Sequence, residues 1–201
     1  MVQRIISFSN LHDFWQYRGE NYDLSDWDMK SQQMISDAIQ KIKPRTLIDI
    51  GCGIGPMFQY YAGIKAVGAD WSLTMLKRAR QKIEDGSLDI TLFHCDIAGD
   101  SLPPGHFDCG VTRTTLMHIP PGQIEKAINN IKKLCDHVLI DELWEPQITE
   151  DLAPWNWVHD YKILFEKCGF EIVDFLIRED IPHLFLHVKV RRTDPKQGAS
   201  A

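Results

Sequence analysis

Four residues pose the chemical question. Asp49 stands two positions before Gly51, and Gly53 and Gly55 follow at alternate positions, all within the run "LIDIGCGIGPMFQYY" of residues 47–61. Glycines lack Cβ, so such a turn lets backbone N–H groups approach a ligand closely. One GxG would fit a plain tight turn; three glycines after an apolar strand argue for a ligand. The spacing is not that of a dinucleotide turn, which needs GxGxxG, and position 56 is a proline. A carboxylate at Asp49 would repel a pyrophosphate and attract an ammonium group. The pattern therefore points away from a nicotinamide dinucleotide and toward a nucleoside that bears an amino acid.

The elements that must hold this turn alternate along the chain. "TLIDIG" (46–51), "AVGAD" (66–70), "DITLFHCD" (89–96), "FDCGVTR" (107–113) and "HVLIDEL" (137–143) read as short apolar strands, the pattern of strands buried on both faces. "EIVDFLIRED" and "LFLHVKV", parted by Ile181-Pro182, read as a closing hairpin. Helical spacing appears over 25–43, with Ile35, Ala38, Ile39 and Ile42 on one face, and over 120–135, with Ile124, Ala127, Ile128 and Ile131. A third helix runs from Ser72 as N-cap to Gly86 as C-cap, a fourth spans 155–170, and another starts near Pro56. The expectation is a doubly wound α/β fold: a mostly parallel seven-stranded sheet, helices on both faces, the last two strands a hairpin. One domain covers residues 1–190, with 191–201 as a mobile tail.

Composition agrees with a globular domain: 201 residues, 44% hydrophobic and 25% charged, can bury a core. A net charge of −6 argues against a general binder of nucleic acid or anionic membrane. No apolar run is long enough to span a bilayer. Cys52, Cys95, Cys109, Cys135 and Cys168 are scattered and include no CxxC pair, so free thiols, a reducing cytoplasmic setting and no metal site are expected.

Five segments in order resemble the class I S-adenosylmethionine-dependent methyltransferases. "LIDIGCGIG" is similar to the family's first motif, "VGADWSLTMLKRAR" to the second, "FHCDIAGDSLP" to the third, "FDCGVTRTTLMHIP" to the fourth strand and its continuation, and "LFEKCGFEIVDF" to the late helix–Gly–Phe–strand step. The resemblance covers roughly residues 45–190 and implies S-adenosylmethionine as cofactor. It implies that Asp49 and the backbone of Gly51, Cys52, Gly53 and Gly55 hold the methionine end, with Cys52 itself packing under the turn. It further implies Asp70 on the ribose hydroxyls, Trp71 and Met75 beside adenine, Asp96 and the Ile97 N–H on the adenine edge, and Arg113 on the cofactor wall.

The acceptor is less legible. It should lie over the ends of strands four and five, near Arg113, Thr114, Glu142 and Trp144. No NPPY-type motif follows strand four, which counts against methylation of adenine or glutamine amines. Residues 1–30 and 144–160 fall outside the family scaffold and hold Trp15, Tyr22, Trp27, Trp144, Trp155 and Trp157, so they are expected to cap a partly apolar pocket. A hydroxyl acceptor needs a base, for which His159 comes first, Glu142 second and His118 third; Arg113 can only donate and would orient the acceptor. The expected reaction is methyl transfer to an oxygen or nitrogen of a small molecule, with no nucleic-acid or membrane partner. The alternatives are an RNA or protein methyltransferase, or a non-catalytic nucleoside-binding protein.

Overall fold

The computed structural model describes residues 11–21, 26–144, 155–180 and 183–191. Five strands run parallel: β1 (Thr46–Ile50), β2 (Lys65–Asp70), β3 (Ile90–His94), β4 (Phe107–Arg113) and β5 (Cys135–Leu143). β6 (Phe170–Ile177) and β7 (His183–Val190) pair as the expected antiparallel hairpin, and β7 closes against β5. The order across the sheet is β3-β2-β1-β4-β5-β7-β6. Chain direction through the sheet reverses between β1 and β4, and a crevice opens where such strands diverge at their carboxyl ends.

Strand period two sorts the side chains onto two faces. Leu47, Cys109, Val111, Leu139 and Phe185 pack with Ile35 and Ile39 of α2 (Asp26–Ile42) and with Leu76 and Ala79 of α3 (Leu73–Gly86). Ile48, Ile50, Val138 and Ile140 pack with Ile124, Ala127, Ile128 and Ile131 of α4 (Ile124–Leu134) and with Tyr161 and Phe165 of α5 (Tyr161–Lys167). Helices thus cover both faces, as the sequence implies. One helix goes beyond that expectation: α1 (Leu11–Asn21) packs on α3, with a hydrogen bond between the side chains of Thr74 and Gln16.

Three boundaries differ from the sequence reading. The helix expected near Pro56 is a single 3-10 turn, Phe58–Tyr60. Gly63, at φ 79°, reverses the chain and β2 already begins at Lys65, which leaves no room for a longer helix. The helix expected over 155–170 is confined to α5, because the Asp160 carboxylate caps the Ile163 N–H at 3.0 Å while the Trp157 N–H is drawn to the Met117 carbonyl at 2.8 Å. Ser72 does cap α3, accepting from the Met75 N–H, but the left-handed cap is Ser87 at φ 49°, with Gly86 the last helical residue. Residues 192–201 of the expected tail lie outside the described residues; the Arg191 N–H still bonds the Gly169 carbonyl.

α4 also fixes a loop at the crevice. Asn130 is buried and its amide donates to the Ile97 and Gly99 carbonyls, both at 2.9 Å. Replacing it with alanine leaves two carbonyls in a dry setting without their donors. Asn130→Ala should cost about 2–4 kcal/mol of stability in denaturant unfolding, with amide exchange rising first over residues 96–99.

Candidate functional site

A cavity occupies the crevice at the carboxyl ends of β1, β2 and β4, lined among others by Asp49, Asp70, Asp96, Arg113, His118 and Trp15. The glycine turn forms its floor. The three glycines have positive φ, which a side chain would resist, but each meets different surroundings. A Cβ on Gly51 would stand 2.1 Å from Thr115 Oγ1, and one on Gly55 would stand 2.4 Å from the Phe58 ring. Among the described residues nothing lies within 4 Å of where a Gly53 Cβ would point. Protein neighbours thus crowd Gly51 and Gly55, and Gly53 is the open position where a ligand can meet the backbone. Cys52 packs beneath, its Sγ 3.1 Å from where a Cβ on Gly68 would stand, and burial pushes its thiol well above its ordinary range.

The carboxylates differ in how they are compensated. Asp49 is 3% exposed and accepts from the Tyr61 hydroxyl at 2.9 Å. Burial pushes its carboxyl up to about 7, while the Tyr61 bond and the Arg113 guanidinium pull the other way. Asp70 accepts the Gly53 N–H on one oxygen and the Ser72 N–H on the other, both at 2.8 Å, which leaves accepting capacity on the carboxylate. Burial raises it as well, and those two bonds oppose the rise. Asp96 spends one oxygen on the Ala98 N–H at 2.8 Å and is otherwise exposed at the cavity mouth. Trp71, Met75 and Ile97 line the same half of the cavity.

The other half is built by the segment after β4. Arg113 is buried, Thr114 has a left-handed φ of 50°, and a 3-10 turn, Leu116–His118, carries His118 to the wall. His118 Nδ1 lies 3.0 Å from the Trp155 carbonyl; a carbonyl can only accept, so Nδ1 carries the proton and Nε2 is the accepting nitrogen. Burial pushes this imidazole down to about 4. Trp15 of α1 meets its ring edge-on at 4.6 Å between centroids and lines the cavity too.

Several sequence candidates are not in this wall. His159 is buried with Nε2 donating to the Ile119 carbonyl at 2.8 Å and its ring against Tyr161, so it stands behind the loop. Glu142 is fully buried, and its carboxylate is taken up by Thr112 Oγ1 and the N–H groups of Thr115, Leu116 and Met117 at 2.9–3.1 Å. It has no oxygen free to serve as a base toward the cavity. Trp144 packs on Phe175 on the hairpin side, and Trp155 contributes its carbonyl to His118 rather than a ring to the wall. Tyr22 and the side chain of Trp27 lie outside the described residues, as does most of the 144–160 segment. Conversely, Tyr61, Thr115 and Gln123 join the site without a sequence signal: nothing in their spacing marks them, because the fold alone brings them to Asp49, Gly51 and the cavity rim.

Residues 47–137 match the family model described as "Methyltransferase domain". No curated protein sequence matches the chain. Among solved structures, the magnesium protoporphyrin IX methyltransferase of Synechocystis PCC 6803, crystallised with S-adenosylmethionine, is 18% identical at a TM-score of 0.69, over 90% of this chain and 93% of that one. An S-adenosylmethionine-dependent methyltransferase of Clostridium acetobutylicum ATCC 824 is 12% identical at 0.68, over 90% and 99%. The [4+2]-cyclase SpnF is 14% identical at 0.68, over 83% of each chain. At these identities the likeness is one of fold. Among the described residues, no helix is long and apolar enough to cross a membrane and no three side chains are grouped to hold a metal ion.

The charge state of Asp49 has a measurable consequence. With its pKa raised from 3.8 to about 7, the folded protein holds this proton more tightly than the unfolded chain does. That contribution to stability is complete below the unfolded value and is lost as pH rises through about 7, a change of about 4 kcal/mol in all. Asp49→Asn is neutral throughout. Denaturant unfolding of ligand-free protein from pH 4 to 8 should show the variant gaining on the wild type as pH rises. A difference that stays flat with pH would mean an ordinary Asp49.

Proposed function

We propose that this chain, whose residues 47–137 match a methyltransferase-domain family model, is an S-adenosylmethionine-dependent methyltransferase that moves the methyl group to an oxygen or nitrogen of a small molecule. The observation that carries this reading is the cover over the acceptor half: Trp15, on a helix seated against α3, stands on His118 and walls the cavity. An aromatic side chain over this half suits a small acceptor better than a macromolecular chain, and the net charge of −6 adds no attraction for RNA.

The residues present fit the cofactor. Asp49, buried and short of compensating charge, suits an ammonium group. The two oxygens of Asp70 suit the vicinal ribose hydroxyls, the free oxygen of Asp96 and the Ile97 N–H suit the adenine edge, and Trp71 and Met75 suit its faces. Gly53 leaves the backbone open between them. S-adenosylmethionine supplies a methyl group already activated on a positively charged sulfur. The chain's own work is to orient the acceptor and, for a hydroxyl, to take its proton. His118 is the imidazole that lines the cavity, with its tautomer fixed by the Trp155 carbonyl, so it is the candidate for that proton; burial, which pushes it down to about 4, makes it a weak base until an acceptor is bound beside it. Arg113 and Thr114, beside it, would orient the acceptor.

Three outcomes test this. Incubation with S-adenosylmethionine labelled in the methyl group and a small-molecule extract should place label in the low-molecular-weight fraction. Label in RNA or protein instead would overturn the small acceptor, and no transfer to any fraction would favour a nucleoside-binding role without transfer, since fold does not fix function. Asp70→Ala should weaken S-adenosylhomocysteine binding in calorimetry by about 1.5–3 kcal/mol. With a hydroxyl acceptor, His118→Gln should lower kcat by about 10²–10⁴-fold and leave cofactor affinity unchanged; an unaltered kcat would leave positioning as the whole of the catalysis.

A further inference from the structure

Glu142 is a buried acid that the proposed chemistry does not use. Its carboxylate sits under the segment that follows β4 and gathers three consecutive N–H groups: Thr115 at 2.9 and 3.0 Å, Leu116 at 2.9 Å and Met117 at 3.1 Å. Thr112 Oγ1 adds a fourth donor at 2.9 Å. A carboxylate has about four accepting positions, and here they are filled. Together with the Thr114 N–H, which bonds the Asp141 carbonyl at 2.9 Å, this holds Thr114 in a left-handed conformation that a β-branched residue resists.

The clamp reaches further than its own loop. It seats Thr115 so that the side chain fills the place where Gly51 lacks a Cβ, with Thr115 Oγ1 3.4 Å from the Gly51 carbonyl and 3.1 Å from that of Arg113. On its other side the turn hangs from β2: the N–H groups of Gly51 and Cys52 bond the Ala69 carbonyl at 2.7 and 3.0 Å, and that of Gly53 bonds Asp70. A wedge of one side chain therefore joins the loop bearing Arg113 and His118 to the turn bearing Gly53.

We propose that Glu142, Thr115 and Gly51 form an interlock that makes the acceptor-side loop and the cofactor turn one mechanical unit, with Glu142 as a positioning residue for both halves of the site. The inference rests on reading the cavity as a joint cofactor and acceptor site. Packed elements shift between discrete arrangements rather than bending, so a contact of this kind transmits the seating of one half to the other. Glu142→Gln keeps the shape but replaces one acceptor oxygen with an NH₂ that faces N–H groups, and so it opens the clamp.

Amide exchange and S-adenosylhomocysteine titration, both well below the unfolding temperature, test the proposal in the full chain. In Glu142→Gln, exchange should rise at least about tenfold at residues 115–117 and also at Gly51, Cys52 and Gly53, and S-adenosylhomocysteine should bind at least about fivefold more weakly. Thr115→Ala removes the wedge and keeps the clamp, so it should free residues 51–53 while 116 and 117 stay protected. A role confined to stability would lower the melting temperature and speed exchange at 115–117, leaving residues 51–53 and the affinity of the folded protein unchanged; that result overturns the interlock. Should Glu142→Gln fail to fold, Thr115→Ala decides alone: unchanged exchange at 51–53 refutes the coupling. If the wild type itself does not bind S-adenosylhomocysteine, the cofactor reading fails, while the exchange data still judge the mechanical link.

Discussion

Four carboxylates, Asp49, Asp70, Asp141 and Glu142, are buried along the carboxyl edge of one sheet, and the rest of the site follows from how each is compensated. An ionised carboxylate out of water is costly unless donors or cations replace its hydration. Glu142 is satisfied by its loop, so it organises backbone. Asp70 is partly satisfied, by backbone N–H groups that include those of Gly53 and Ser72, and keeps capacity for a ligand. Asp141 has His183 Nδ1 at 3.1 Å on one oxygen, while its second oxygen has no hydrogen-bond partner among the described residues. Asp49 has a phenol and a share of a guanidinium and is the least well served of those in the cavity. Attraction for a cationic ligand is greatest where compensation is poorest.

The same edge explains why the turn is glycine-rich. Gly51 must admit Thr115, Gly55 must admit Phe58, and Gly53 keeps its N–H on Asp70 with open space above. Two of the three glycines thus serve the packing that makes the third useful. The absence of a full helix after the turn has a related effect. A 3-10 turn of three residues has almost no macrodipole, so the turn offers N–H groups without the field that favours a phosphate. This agrees with Asp49 in selecting a ligand whose polar end carries an ammonium rather than a phosphate.

The sheet, its hairpin and the helices on both faces are legible in the sequence, because apolar runs and 3.6-residue spacing carry them directly. Asp49, Asp70, Trp71, Met75, Asp96 and Ile97 are legible through ordered motifs, and all of them reach the cavity. The acceptor half is not. Glu142 and His159 have the right chemistry and lie near the right strand ends in sequence, but strand parity turns Glu142 to the α4–α5 face, and the Ile119 carbonyl turns His159 into the core. His118 ranks third on sequence because its neighbours are apolar; they are apolar because they hold it at a dry wall. Short connections escape a sequence reading for a local reason: Gly63 and Asp160 end or start structure with single bonds and angles that periodicity does not register.

The cavity straddles β1 and β4, and these are the paired strands whose partners lie farthest apart along the chain, Leu47 facing Cys109. The β6–β7 hairpin and the β1–β2 pair join near neighbours instead. Loop closure costs more entropy the longer the segment it encloses, and distant pairings are the slowest to be won. The wedge of Thr115 against Gly51 exists only after that most distant pairing has formed. Ligand competence is therefore a report on completed topology: a chain with every local element in place but β1 and β4 apart would have a sheet's worth of secondary structure and no site.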